Sequence, residues 1–134
     1  MDEYIKHANH NDEFHSSICL QFPDQYNDWK IVSLFYIAIH YLKSLAKLRK
    51  KEIGKHHHEI NKNIRSGHHN PVMPISNTAY CNYMELFHYS QKARYDPIEN
   101  IEEFKDSMKK DYIYIIKCYT DFKKFIISSG VRIS

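Results

Sequence analysis

The sequence predicts an all-α fold, an antiparallel up-and-down bundle of four long helices plus one short helix, in a single domain over residues 1–134. Only three glycines and four prolines punctuate the chain, whereas a strand-rich fold would need more tight turns. Along several long segments, apolar residues recur at spacings of three and four, which is the period of an α-helix. Short connections between such segments make neighbouring helices antiparallel.

The first two helices are separated by Pro23. The first runs from residue 2 to about residue 20, and its inward side chains are expected to be Tyr4 or Ile5, Ala8, Phe14, Ile18 and Cys19. The second lies within residues 24–52 and has the strongest helical signal, with two apolar stripes. These are Ile31, Phe35, Ala38, Leu42 and Leu45, and Trp29, Val32, Tyr36 and Ile39. Two stripes indicate a central helix, which Gly54 is expected to end.

A short helix and a long loop follow. The segment HHHEINKNIR, residues 56–65, has room for only a short helix. Residues 66–75 contain Gly67, Pro71 and Pro74, which prevent its continuation, so this stretch is predicted to be a mobile or functional loop.

The last two helices carry clear boundary signals. Ser76 or Asn77 is a suitable cap for the fourth helix, and Pro97 predicts that it closes near Arg94. Asn100, followed by Glu103, makes a capping-box-like start for the fifth. Gly130 is expected to stop this last helix.

Charge and cysteine content suggest a cytoplasmic protein. Cys19, Cys81 and Cys118 are odd in number and form no C-x-x-C pair, which is typical of reduced thiols. The acidic start MDEYIKHANHNDEF does not resemble a signal peptide. The sequence has no stretch of 18 apolar residues, so neither a membrane span nor a membrane partner is predicted.

The basic part of the chain is the first candidate for ligand binding. Residues 43–65 hold eight cations against two carboxylates, although the formal net charge is only +3. Such a segment either attracts phosphates or is simply a solvated helix end and loop. Candidate substrate-binding residues within it are Lys51, Lys55, Asn61 and Arg65.

Candidate catalytic residues are His40, His58 and Arg94. Imidazole titrates near neutrality and can move a proton, and a guanidinium can hold two phosphate oxygens at once. Tyr36, one turn before His40, and Tyr95 are expected to support them in binding substrate. The alternative for His40 is a core histidine that is hydrogen-bonded to a neighbouring hydroxyl. The alternative for Arg94 is an arginine that only stabilises the C-terminus of its helix through the helix dipole.

No cofactor or metal is predicted. The ten histidines include clusters, but no H-E-x-x-H or cysteine–histidine framework appears, and adjacent histidines cannot all reach one ion. Glycine-rich motifs, which bind phosphate through backbone amides, are also missing, so any phosphate would have to be bound by side chains.

The order "DW…FYIAIHYL", "HHHEINKN" and "YMELFHYSQKARY" resembles small prokaryotic members of the HEPN superfamily. The resemblance runs from about Asp28 to Tyr95, roughly half of the chain. The matching positions are Trp29, Tyr36, His40, His58, Tyr83, Leu86, Ser90, Arg94 and Tyr95.

The resemblance implies a helical bundle that is frequently a homodimer and is often encoded in toxin–antitoxin or antiviral defence loci. Many members are metal-independent ribonucleases, in which an arginine and a histidine a few residues apart meet across a dimer cleft. This chain departs from that motif, because the residues at the matching spacing after Arg94 are Glu99, Asn100 and Ile101. Arg49 and His56 fit the spacing, but Gly54 lies between them.

The predicted function is therefore RNA or nucleotide binding by a HEPN-like protein, with metal-independent endoribonuclease activity as the candidate reaction. A cognate antitoxin or defence-system protein is the expected partner, besides a second copy of the chain. The alternative is a non-catalytic helical module for protein interaction and dimerisation.

Overall fold

The structure, a computed structural model, describes residues 2–134 as five helices packed into a bundle. They are α1 (Glu3–Gln21), α2 (Asn27–Leu48), α3 (His57–Asn63), α4 (Asn77–Tyr95) and α5 (Ile101–Ser128). The described residues contain no strand, only an isolated bridge between Arg65 and Ile75. The predicted all-α fold is confirmed, and the five helices, four long and one short, pack against one another as a bundle requires.

The central helix is α2, which packs against α1, α4 and α5, while α4 also packs against α5. All five residues of its first predicted stripe, from Ile31 to Leu45, are buried. On the second stripe, Val32 and Ile39 are buried, but Trp29 is 52% exposed. The expectation that neighbouring helices cover both stripes was wrong at Trp29, which lies in the first turn of α2.

Among residues 2–134, α2 is the only helix long and apolar enough to cross a membrane by length and composition. However, 72% of its most apolar window is buried inside the bundle. Because the neighbouring helices cover this apolar surface, α2 has the burial pattern of a core helix in a soluble protein.

Three helices begin with a side chain that accepts hydrogen bonds from the first turn. Asp2 caps α1 by accepting from the Tyr4 amide at 2.8 Å. Ser76 accepts from Ala79 at 3.2 Å, and Asn100 accepts from the amides of Glu102 and Glu103 at 3.0 and 3.1 Å. The sequence predicted the caps at Ser76 and Asn100, because these side chains satisfy amide groups that have no partner within the helix.

The C-terminus of α2 differs from its prediction. The helix ends at Leu48, well before Gly54, and Lys50 adopts a left-handed conformation with φ of 56°. The Lys51 amide donates to the Ala46 carbonyl at 2.8 Å, and the Lys50 amide donates to Lys47 at 3.1 Å. These two bonds form a Schellman motif, in which the left-handed residue is usually glycine. Because lysine occupies that position here, nothing in the sequence indicated that the helix ends before it.

The loop at residues 66–75 is anchored at its far end. The Met73 amide donates to the Asn63 carbonyl at 2.8 Å, and the Ile75 amide donates to Ile64 at 2.9 Å. Met73 and Ile75 are also buried, at 3% and 4% exposure. The loop therefore holds α3 against the start of α4.

Candidate functional site

Arg94 lies in the last turn of α4 and reaches across to α2. Asp96 takes an extended conformation before Pro97, which closes the helix and leaves the Arg94 side chain exposed. Its Nη1 atom donates to the Tyr36 hydroxyl at 3.0 Å, and its guanidinium lies 5.0 Å from the centre of the Tyr95 ring. Since a guanidinium has five N–H donors, the hydrogen bond to Tyr36 orients Arg94 and leaves donors for a ligand.

His40 lies one turn after Tyr36 on the same stripe of α2. It is half-buried, and its ring stacks on the ring of His7 from α1, with centroids 5.1 Å apart and an interplanar angle of 19°. Its Nδ1 atom is buried and has no hydrogen-bond partner. Burial, followed by the charges of Lys43 and His7, lowers the pKa of His40 from 6.5 to about 4. The imidazole is therefore neutral at neutral pH.

His57 is the first residue of α3 and packs between the rings of Phe35 and Phe87, with centroids 5.5 Å from each. Its Nδ1 atom is also buried without a partner. Burial is the main cause that lowers the pKa of His57, and the positive charges of Lys43 and Arg94 add to it.

These residues form one cationic surface, which we call the imidazole face. Its members are Tyr36, His40, Lys43, His57 and Arg94. Tyr36 and His57 both pack on the Phe35 ring, and Arg94 donates to Tyr36. The charge of Lys43 acts on both imidazoles, and that of Arg94 acts on His57. Within the described chain, no carboxylate is among the charged groups that shift either imidazole. Neither Lys43 nor Arg94 forms an ion pair within residues 2–134, and such unpaired positive charge suits an anionic ligand.

The predicted histidine of α3 lies outside this face. His58 is exposed, whereas His57, one residue earlier, packs toward α2 and α4. Because successive residues of a helix point in different directions, only the packing partners of α3 could distinguish the two. Sequence reasoning missed His57 for that reason.

The other predicted substrate-binding residues lie around α3, except Tyr95, which ends α4. Lys51 and Lys55 are exposed in the connection between α2 and α3. Asn61 is half-buried, and its Oδ1 atom is buried without a partner. Arg65 is exposed and lies over the Tyr80 ring, 5.8 Å from its centre. Tyr95 is 64% exposed beside Arg94.

A cavity of about 430 Å³ lies beside the C-terminus of α4. Arg94 and Tyr95 line it, together with Trp29 and Val32 from α2, but none of the histidines does. Arg94 therefore belongs both to the lining of this cavity and, through its hydrogen bond to Tyr36, to the imidazole face. The structure does not place His40 and Arg94 in one cavity.

A second polar group, which we call the α1–α5 cluster, consists of His15, Cys19 and Tyr112. The His15 Nε2 atom lies 2.8 Å from the Tyr112 hydroxyl, and the Cys19 Sγ atom lies 3.3 Å from that hydroxyl and 3.6 Å from Nε2. Burial is the main cause that lowers the pKa of His15 and raises the pKa of Tyr112. The one-turn spacing of His15 and Cys19 was the only sequence signal for this cluster.

No group of three or more His, Cys, Asp or Glu side chains in residues 2–134 is arranged to hold a metal ion. Comparison of the chain with protein-family profiles, curated proteins and solved structures finds no significant match. The resemblance to the HEPN superfamily therefore stays a prediction from the sequence.

Proposed function

We propose that this protein binds RNA through the imidazole face, as a HEPN-like cytoplasmic protein with an antiparallel up-and-down bundle. The observation that carries the proposal is the exposed Arg94, which the Tyr36 hydroxyl orients at 3.0 Å and which, like Lys43, forms no ion pair within residues 2–134, beside two half-buried imidazoles. A phosphate group supplies what this surface lacks, because it is anionic and accepts several hydrogen bonds. The exposed Lys51 and Lys55 extend the positive charge along the strand of RNA.

The same arrangement supports metal-independent cleavage. The 2′-oxygen of RNA attacks the adjacent phosphorus while one neutral imidazole takes its proton. The bond to the 5′-oxygen breaks, and that oxygen receives a proton from the other imidazole, which must be protonated in the complex because the bound phosphate stabilises its charged form. Arg94 stabilises the negative charge that develops on the phosphoryl oxygens. His57 takes the role that the sequence assigned to His58, because its ring packs between α2 and α4.

The homodimer and the cognate antitoxin or defence-system partner belong to this proposal through the HEPN resemblance alone. A non-catalytic interaction module is the second candidate. It is favoured by the absence of a histidine at the HEPN spacing after Arg94.

A salt titration tests the binding proposal. Labelled single-stranded RNA is titrated with the protein in chelator at increasing salt concentration. With about three phosphate contacts, the slope of log K against log salt should be about −2. Absence of binding, or affinity that does not change with salt, would contradict it.

The cleavage step is tested in the same mixture. Products ending in a cyclic phosphate are expected, and RNA with a 2′-deoxy residue at the cleaved position should bind but stay intact. The double variant His40→Ala, Arg94→Ala should not cleave; full cleavage by this variant would exclude the proposed residues. Unchanged circular dichroism of the variant is the control for folding.

A further inference from the structure

Trp29 connects two neighbouring cavities on the side of α2 where α1 ends. One is the cavity of about 430 Å³ described above, and the other, of about 370 Å³, is lined entirely by apolar and aromatic residues. Those residues are Phe14, Ile18, Phe22, Tyr26 and Trp29, and we call this second cavity the aromatic groove. Trp29 belongs to the lining of both, so the two cavities adjoin at this residue, and we call them together the aromatic surface.

The large side chains around this surface are unusually exposed. Phe14, Tyr26 and Trp29 are 51%, 50% and 52% exposed, and Tyr95 and Ile101 are 64% and 58% exposed. The prediction that Phe14 faces the core was wrong, because no helix covers this side of α1. A soluble protein rarely exposes so many adjacent apolar groups unless they bind a partner. Tryptophan and tyrosine are also the residues that dominate binding energy at protein interfaces.

The turn that carries these rings is held rigidly. Lys30 is 1% exposed, and its ammonium donates to the carbonyls of Phe22 and Pro23 at 2.7 and 3.1 Å. Tyr26 adopts a left-handed conformation with φ of 57°, which is costly for a residue with a side chain, and its ring packs edge-on against Phe22. Rings fixed in this way lose little entropy when a partner binds.

Three carboxylates lie on one side of the aromatic surface. Asp28, Asp96 and Glu99 line the larger cavity, with Arg94 as its only cation. The ion pairs of residues 2–134 all involve other carboxylates. The surface is therefore apolar in the aromatic groove and carries more negative than positive side chains in the adjoining cavity, which complements a partner that is apolar and positive.

We propose that this surface binds a basic amphipathic helix of another protein. The apolar face of that helix would lie against the aromatic groove, and its lysine or arginine side chains would pair with Asp28, Asp96 and Glu99. A second copy of the chain is a poorer match, because a two-fold interface would bring two surfaces with the same excess of carboxylates together. RNA and anionic lipid are repelled by the same charges. This proposal stands independently of RNA binding.

Trp29 is the only tryptophan of the chain, so its fluorescence reports directly on this surface. The probes are a helical peptide of leucine and lysine and the same peptide with glutamate in place of lysine. The leucine–lysine peptide should produce a saturable blue shift, whereas the leucine–glutamate peptide should produce none. An equal response to both peptides, or no saturable response to the first, would overturn the proposal.

Two variants and two controls locate the binding. Tyr26→Ser should weaken binding of the leucine–lysine peptide through loss of an anchor, and Ile113→Ser, which removes an exposed isoleucine of α5, should not. The double variant Asp28→Asn, Glu99→Gln should weaken it about three- to tenfold, as expected for two exposed ion pairs, whereas Glu3→Gln should not. Unchanged affinity of both test variants would overturn the proposal. So would sedimentation showing that the chain self-associates through Tyr26.

Discussion

The imidazole face and the α1–α5 cluster use similar residues for different purposes. In the α1–α5 cluster, the polar atoms of His15, Cys19 and Tyr112 lie within 2.8–3.6 Å of one another. In the imidazole face, the Nδ1 atoms of His40 and His57 are buried without partners. The first group is satisfied internally and joins two helices, whereas the second lacks partners within the protein and is the proposed site for a ligand.

The comparison shows that a lowered histidine pKa does not by itself mark a binding site. Burial lowers the pKa of His15, His40 and His57 alike. The difference lies in the neighbouring charges. His15 is influenced by both Asp12 and Lys30, which oppose each other, while cations alone act on the other two. A nearby phosphate would offset the cations that act on those two, whereas Asp12 already does so in part for His15.

The largest effect is expected from Arg94→Gln, which should weaken RNA binding by the imidazole face and leave the stability of the fold nearly unchanged. The change removes a charged donor from the imidazole face, and RNA affinity should fall about ten- to a hundredfold, which corresponds to ~1.5–3 kcal/mol. Because Arg94 is exposed, the free energy of unfolding should change by less than about 0.5 kcal/mol. Fluorescence anisotropy with labelled RNA measures the affinity, and Lys105→Gln on α5 is the matched control. Wild-type affinity in the Arg94 variant would contradict the assignment.

The opposite pattern is expected from Tyr112→Phe. Loss of the hydroxyl leaves His15 and Cys19 without their shared partner, so urea denaturation should show a free energy of unfolding lower by about 1–2 kcal/mol. RNA affinity should stay at the wild-type value. Tyr4→Phe, which removes a hydroxyl from an exposed ring of α1, should leave stability unchanged. A Tyr112 variant that keeps full stability, or that loses RNA binding, would show that the cluster has another role.

A smaller effect is expected from pH. The unfolded His40 takes up a proton near pH 6.5, whereas the folded one does so only near pH 4. Between these values the unfolded chain binds more protons, so stability should be lost as pH falls through this window. Because His40 is only half-buried, its share is about 1 kcal/mol. In the His40→Gln variant, the free energy of unfolding measured by urea denaturation should depend less on pH over this range. The same pH dependence as in the wild type would show that the pKa of His40 is not lowered by folding.

Much of the fold could be predicted from the sequence because its signals are local. Ser76 and Asn100 were identified as helix caps because a short polar side chain satisfies free amides wherever a helix begins. The central position of α2 followed from its two apolar stripes. Lys50 could not be identified as a helix end, because the left-handed position usually carries glycine, as Gly130 does after α5.

The candidate site was less predictable because it depends on contacts between distant segments. The sequence placed Tyr36, His40 and Arg94 among the candidates, and the structure joins Arg94 to Tyr36 and leaves His40 one turn away. The choice between His57 and His58 depends on how α3 packs, which no local pattern determines. The exposure of Phe14 and Trp29 was missed for a similar reason, since apolar spacing shows which residues share a face but not what covers it.

Nuclear magnetic resonance titration of the histidine side chains, with and without single-stranded RNA, distinguishes the two groups within one sample. A bound phosphate stabilises a nearby imidazolium, so the pKa values of His40 and His57 should rise by about one unit or more. The pKa of His15 should stay where it is, because its partners are Tyr112 and Cys19. Equal shifts at all three histidines, or a shift at His15 alone, would contradict the imidazole face as the site of RNA binding.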